Sequence, residues 1–426
     1  KDGLLTPFAL AEGAGWLTGP VAAARTFLPR WTGRLRARLR AGVAPEVRTE
    51  LEIGFTFEEA VLFAQVALTT MGLVRDFARL VVLCGHGGTS ENNPYQASLD
   101  CGACGGQRGG PNARTAAAIL NSAVVREGLR ERGIALPDDT VVIAAEHDTT
   151  LDEVVLLDPH LVPDTHARDV AALRADLARA TANLAVERAR DLPGGPRART
   201  GARVQSALVG RAADWAQVYP EWGLAGNAAF VVGPRALSKG LDLQRRVFLH
   251  SYEASVDHDG SALETILTAP MVVAQWISSQ YYFSAVDPDV FGAGTKTVHN
   301  VLGGVGVLAG HDGDLQLGLP WQSVGHGTTL VHEPMRMVTV VHAPRSAVQA
   351  VIDRNPVLQR LFGNEWVALV VREPTGGPWY SYRRAGWTPR PETSPRSDLK
   401  PTTRDVTHPP ARDITRPPTR DPEETP

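Results

Sequence analysis

Two short runs, Leu80-Val81-Val82-Leu83-Cys84 and Val141-Val142-Ile143-Ala144-Ala145, are apolar throughout instead of alternating with polar residues. A strand wetted on one face alternates, whereas one covered on both faces does not, so each run predicts a strand buried in a parallel sheet. Cys84 then reads as a small buried residue. Parallel neighbours need a crossover, and Pro111, well suited to a first helical position, opens a helix through about Arg132. A further helix precedes the first run. Thr56 and Glu59 have capping-box spacing, and Ala60, Phe63, Ala64, Ala67 and Leu68 follow at helical intervals, which predicts about five turns ending near Arg79. This alternation is the signature of a βαβ unit.

The rest of the chain divides around that unit. Residues 1–54 read as a partial helical segment whose basic run Arg34-Leu35-Arg36-Ala37-Arg38-Leu39-Arg40 forms a solvated face, and residues 55–165 hold the βαβ region. Residues 166–388 predict a second, mixed α/β region packed on the first. It opens with an amphipathic helix over Ala167 to Arg190 and contains strands near Met335–His342 and Trp366–Val371. From 389 to 426 the composition turns to Pro, Thr, Arg and Asp, which cannot bury a core and predicts disorder. The expected fold class is therefore α/β, with a parallel-sheet core, a second mixed region and a disordered carboxy-terminal tail.

Charge and cysteine content exclude several functions. Lys plus Arg (43) nearly balance Asp plus Glu (46), so no basic field points to nucleic acid. Three cysteines, two of them in Cys101-Gly-Ala-Cys104, do not make a secreted disulfide framework and favour a reducing compartment. No run reaches the roughly eighteen apolar residues of a membrane span. The most apolar stretch, Leu263 to Phe283, is broken by Glu264, Pro270 and Gln275 and reads as a core helix. The chain opens with Lys1 instead of Met, and Leu4-Leu5-Thr6-Pro7-Phe8 lacks the order of a signal peptide, so a truncated start is expected.

Chemistry concentrates after the first strand, in Cys84-Gly-His86-Gly-Gly-Thr-Ser-Glu91-Asn-Asn-Pro-Tyr95-Gln-Ala-Ser-Leu-Asp100-Cys101-Gly-Ala-Cys104-Gly-Gly. A long Gly-rich loop inside a compact domain usually signals function. Zinc takes neutral imidazole and thiolate, and a loop folding back on a strand end can bring His86 and Cys101, 15 positions apart, to one ion. The residues alone leave two rival readings of Cys101 and Cys104. They can form a redox pair, which needs a thiol of lowered pKa, or one knuckle of a zinc ribbon, although the chain has no second pair.

The run from Leu83 to Asn112, with Cys-Gly-His-Gly, Ser90-Glu91-Asn92-Asn93-Pro94-Tyr95 and Asp100-Cys101-Gly102-Ala103-Cys104-Gly105-Gly106, resembles the zinc-site segment of the DabA family of inorganic carbon transporter subunits. Glu146-His147-Asp148-Thr149-Thr150, Glu221 through Ala229, Thr268 through Ile277, and Gly294-Thr295-Lys296 through Ser323 are similar to the same family. The likeness extends to about residue 375.

That resemblance implies a β-carbonic-anhydrase-like core and a Zn2+ site of two thiolates, one imidazole and one aspartate. His86 takes the imidazole role and Cys101 the second thiolate. The other thiolate and the aspartate come, in the family, from an upstream Cys-x-Asp-x-Arg motif that this sequence lacks. Glu91, Asp100, His147 and Asp148 are candidates to orient the ligands, and Lys296 and His299 read as structural. The implied activity is hydration of CO2 to bicarbonate, coupled to a DabB-like proton-conducting membrane subunit by a peripheral protein on the cytoplasmic side of the cell membrane. With half its ligands absent, the isolated chain is expected to be inactive, and a non-catalytic assembly fragment of that complex is the alternative.

Overall fold

The computed structural model describes residues 6–29, 31–33, 35, 54–93, 99–196, 200–302, 306–310 and 314–390. After α1 (Thr6–Phe27), α2 (Phe57–Thr70) begins on the expected capping box, in which Glu59 Oε2 accepts from the Thr56 amide at 2.8 Å. It stops nine residues short of Arg79. Gly72 turns left-handed at φ 68°, and the Leu73 amide bonds back to the Leu68 carbonyl, closing the last turn.

β1 (Leu80–Gly87) runs parallel to a second strand 61 residues on, joined to it by α3 (Gly110–Asn121) and α4 (Ala123–Glu131). The expected single crossover helix is thus two. The Asn121 side chain bonds both the amide and the carbonyl of Val142, and Ser122 goes extended. That second strand is β2 (Val141–Asp148), with His86 in register with His147, and β3 (Glu153–Leu156) adds to it antiparallel. The order β1-β2-β3 leaves β1 at the edge among the described residues, whereas its apolar run predicted a strand buried in a parallel sheet. Val81 and Leu83 pack toward α2, α3 and α4 through a core that includes Leu68, Leu120 and Leu129. Cys84 alternates to the opposite face and is exposed, not buried.

The second region opens with α5 (Ala167–Asp191) and α6 (Gly201–Ala212), then β4 (Ala229–Val232), β5 (Val247–His250), α7 (Ser261–Thr268) and α8 (Pro270–Val286). A small antiparallel sheet of β6 (His299–Leu302), β7 (Gly306–Ala309) and β8 (Leu315–Gln316) and a short pair, β9 (Gly325–His326) and β10 (Thr329–Leu330), follow. Then come β11 (Val338–His342), α9 (Arg345–Arg354), α10 (Pro356–Gly363), β12 (Ala368–Arg372), β13 (Trp379–Arg383) and β14 (Gly386–Arg390). The large sheet has the order β14-β13-β12-β11-β4-β5, parallel from β12 to β5 and antiparallel at β13 and β14. The fold is thus mixed α/β.

The apolar stretch Leu263 to Phe283 became two helices, and Leu263, Ile266, Leu267 and Met271 are fully buried against Val232, Val341 and Val371. Ala269 and Pro270 separate the helices, since proline cannot continue the first one. No described helix is long and apolar enough to cross a membrane. β14 continues to Arg390, two residues into the segment expected to be disordered. Residues 391–426 and, apart from Leu35, the basic run Arg34–Arg40 lie outside the described residues.

Candidate metal centre at the end of the first strand

Backbone approach, more than side-chain packing, folds the loop back on β1. The Gly109 amide donates to the His86 carbonyl at 2.8 Å, and the Cys101 amide donates to Gln107 at 2.9 Å, closing a small bridge that carries a 3-10 turn over Gly102–Cys104. A Cβ on Gly85 would collide with the Gly109 backbone, so only glycine allows the two segments to touch. Arg108 Nε donates to Glu146 Oε1 at 2.9 Å, and Glu146 Oε2 accepts from the Gly110 amide at the start of α3. One carboxylate of β2 therefore ties down the end of the loop. On its other side the turn neighbours α8, where a Cβ on Gly102 would reach ordinary contact with Val273, so both regions flank the turn that bears Cys101.

The imidazole of His86 is half-buried, and its Nδ1 has no hydrogen-bond partner. Burial pushes its pKa below the ordinary histidine value, with the Leu99 carbonyl opposing, so the ring is neutral at pH 7, as a ligand must be. The Cys104 thiol contacts that of Cys101 and accepts from Asn112 Nδ2 at 3.1 Å. Burial and the neighbouring Cys101 hold Cys104 above its ordinary value, the opposite of what a reactive redox thiol needs.

An orphaned imidazole nitrogen and a thiol on the adjoining turn fit two positions of a zinc ligand set. Among the described residues, no three His, Cys, Asp or Glu side chains converge to hold an ion. The expected orienting groups have other partners. Asp100 Oδ1 accepts from the Gly88 amide at 2.9 Å, and Asp148 accepts from the Thr89 hydroxyl at 2.6 Å and the Thr150 amide at 3.0 Å. His147 Nε2 lies 3.2 Å from Asp152, and Glu91 pairs with Arg25 of α1 at 3.0 Å. The contacts of Asp100, Asp148 and Glu91 tie down residues between His86 and Cys101, whereas the His147–Asp152 contact joins β2 to the turn after it. Lys296 is buried and donates to the Asn92 carbonyl at 3.0 Å, so it braces the same loop, while His299 keeps a buried Nδ1 without a partner.

The family model described as "Probable inorganic carbon transporter subunit DabA" matches residues 1–367. The chain belongs to the DabA family. A DabA relative from Legionella pneumophila is 45% identical over 394 residues, covering 90% of this chain and 51% of the relative. One from Salinibacter ruber is 45% identical over 413 residues (89% and 50%), and one from Haloarcula marismortui is 48% identical over 360 residues (84% and 44%). All three are named probable inorganic carbon transporter subunits. The chain thus spans about half the length of the DabA relatives it matches. No solved structure matches it.

Four residues of this region were not singled out from the sequence: Arg108, Glu146, Asp152 and Arg188. Arg188 ion-pairs with Asp152, both largely buried, and also donates to the Thr149 carbonyl at 3.1 Å. Arg108 and Glu146 lay inside quoted motifs, but their pairing across 38 residues leaves no local signal.

Proposed function

We propose that this DabA chain supplies His86 and Cys101 to a zinc site that hydrates CO2 to bicarbonate, with the remaining ligands contributed by polypeptide beyond this sequence. The orphaned, buried nitrogen of His86, on a residue whose carbonyl holds the Gly109 end of the loop returning from the Cys101 turn, carries this reading. Sheet β1-β2-β3 is, in it, part of a β-carbonic-anhydrase-like core. Bound zinc would acidify water toward neutrality so that it can attack CO2.

This chain's residues do the positioning. Gly85 and Gly109 let the loop approach β1, Glu146 holds Arg108 and the start of α3, and Asp100 fixes Gly88. Asp148 and Thr89 set the path of the segment leaving His86. The protein acts as a peripheral subunit on the cytoplasmic side of the membrane, beside a DabB-like proton-conducting subunit that makes hydration one-way. The lack of a three-donor cluster among the described residues favours a second reading, a non-catalytic assembly component.

Co-expression with a segment bearing Cys-x-Asp-x-Arg, followed by metal analysis, separates the two. About one zinc per chain is expected. It should be lost in His86→Ala and Cys101→Ser and kept in Cys104→Ser. Equal zinc in all of these proteins would refute the ligand assignment and leave the assembly reading.

A further inference from the structure

Glu221 is only 6% exposed, and its Oε2 has no hydrogen-bond partner. An isolated buried carboxylate is costly, so such a group ionises only where neighbouring charge supports it. Five groups act electrostatically with it. Arg188 of α5 and Lys296 of the loop before β6 favour the charged form, Asp148 at the end of β2 and Asp152 in the following turn oppose it, and Tyr281 of α8 feels its charge in return.

Two of these neighbours lead to the candidate metal centre. Asp148 stands in register with Gly87, the residue after His86, and binds Thr89 on the outgoing segment. Lys296, itself 9% exposed, donates its Nζ to Asn92 of the loop between His86 and Cys101. Glu221 is therefore buried from bulk water among charges that also fix the loop, and its segment abuts that loop, since a Cβ on Gly223, two residues on, would fall 3.0 Å from the Leu99 side chain.

We propose that Glu221 is the internal acceptor for the proton released by CO2 hydration, holding it beside Lys296 until it leaves toward the proton-conducting partner. The inference rests on the function proposed above. CO2 and water yield bicarbonate and one proton. That proton forms an O–H bond on the Glu221 carboxylate, and the buried cluster gains one positive charge until the bond breaks and the proton departs. No electrons move.

The energetics suit a one-proton store. Burial pushes Glu221 up to about 7 and Lys296 down to about 8, with each moderated by the other's charge. Both groups consequently lie close to physiological pH, where uptake and release carry little free-energy cost.

Two measurements test this. Infrared titration of the full chain should show the carbonyl stretch of a buried carboxylic acid appearing as pH falls through neutrality. The band should vanish in Glu221→Gln and persist to higher pH in Lys296→Met, which removes the stabilising cation. A band retained in Glu221→Gln, or no band in the wild type, overturns the proposal. The second measurement is stopped-flow CO2 hydration by the zinc-loaded, completed complex. Glu221→Gln should lower the rate on the order of 10²-fold at low buffer, with recovery as a mobile buffer acceptor is added. Equal rates for both proteins at every buffer concentration also overturn it. Absence of hydration in the wild type would instead sink the proposed function, and the infrared result then decides proton exchange at Glu221 on its own.

Discussion

Replacing Gly85 by alanine tests whether backbone contact sets the loop that follows His86. The added Cβ would fall 2.9 Å from the Gly109 Cα and closer still to its carbonyl carbon and oxygen, below the 3.0 Å that real Cβ atoms respect. Backbone cannot swing aside as a side-chain tip can. The Gly109 carbonyl must retreat by roughly 1 Å to reach ordinary contact at 3.4 Å. Such a shift stretches the Gly109-to-His86 hydrogen bond, now 2.8 Å, beyond bonding range. A lost hydrogen bond of about 1 kcal/mol and overpacking of about 1–3 kcal/mol together predict a loss of about 2–4 kcal/mol. Urea unfolding followed by tryptophan fluorescence would read this as a lower midpoint at constant slope. Gly363→Ala, where a Cβ meets nothing within 4 Å, is the control and should be near neutral. A Gly85→Ala midpoint within about 0.5 kcal/mol of wild type would refute the reasoning.

Other perturbations have equally definite outcomes. Asn121→Ala strips both partners from the Val142 backbone and should cost about 2–3 kcal/mol; unaltered hydrogen exchange at the Val142 amide would contradict this. Thr56→Ala removes the cap of α2 and should cost about 1 kcal/mol, read as a lower melting temperature. Glu146→Ala frees Arg108, which is 39% exposed and can rehydrate, so a loss of only about 1 kcal/mol is expected; a melting curve displaced as far as that of Gly85→Ala would argue against this ranking. For Glu221, a folded-state pKa raised from 4.5 to about 7 means that the folded state holds the extra proton between those values. Its stabilising contribution is present below pH 4.5 and is lost as pH rises through 7. Glu221→Gln should flatten that fall in a pH series of denaturation midpoints, and an unchanged slope would tell against it.

Much of the local structure was legible in the sequence. The runs Leu80–Cys84 and Val141–Ala145 became parallel strands, Thr56 and Glu59 formed their capping box, and the helix expected over Ala167 to Arg190 spans Ala167–Asp191. The predicted strands near Met335–His342 and Trp366–Val371 appear as Val338–His342 and Ala368–Arg372. The family was also legible, because its motifs recur along the chain.

What the sequence determined by itself was which segments form helices and strands and to which family the chain belongs, since periodicity, caps and motifs act over a few residues. Only the tertiary structure decided that Asn121 splits the crossover to cap Val142 and that Cys84 lies on an uncovered face. It alone buried Glu221 with Lys296 and joined Arg188 to Asp152. Those outcomes depend on groups tens of residues apart competing for the same hydrogen bonds and the same dry space, and no local pattern records which of them prevails.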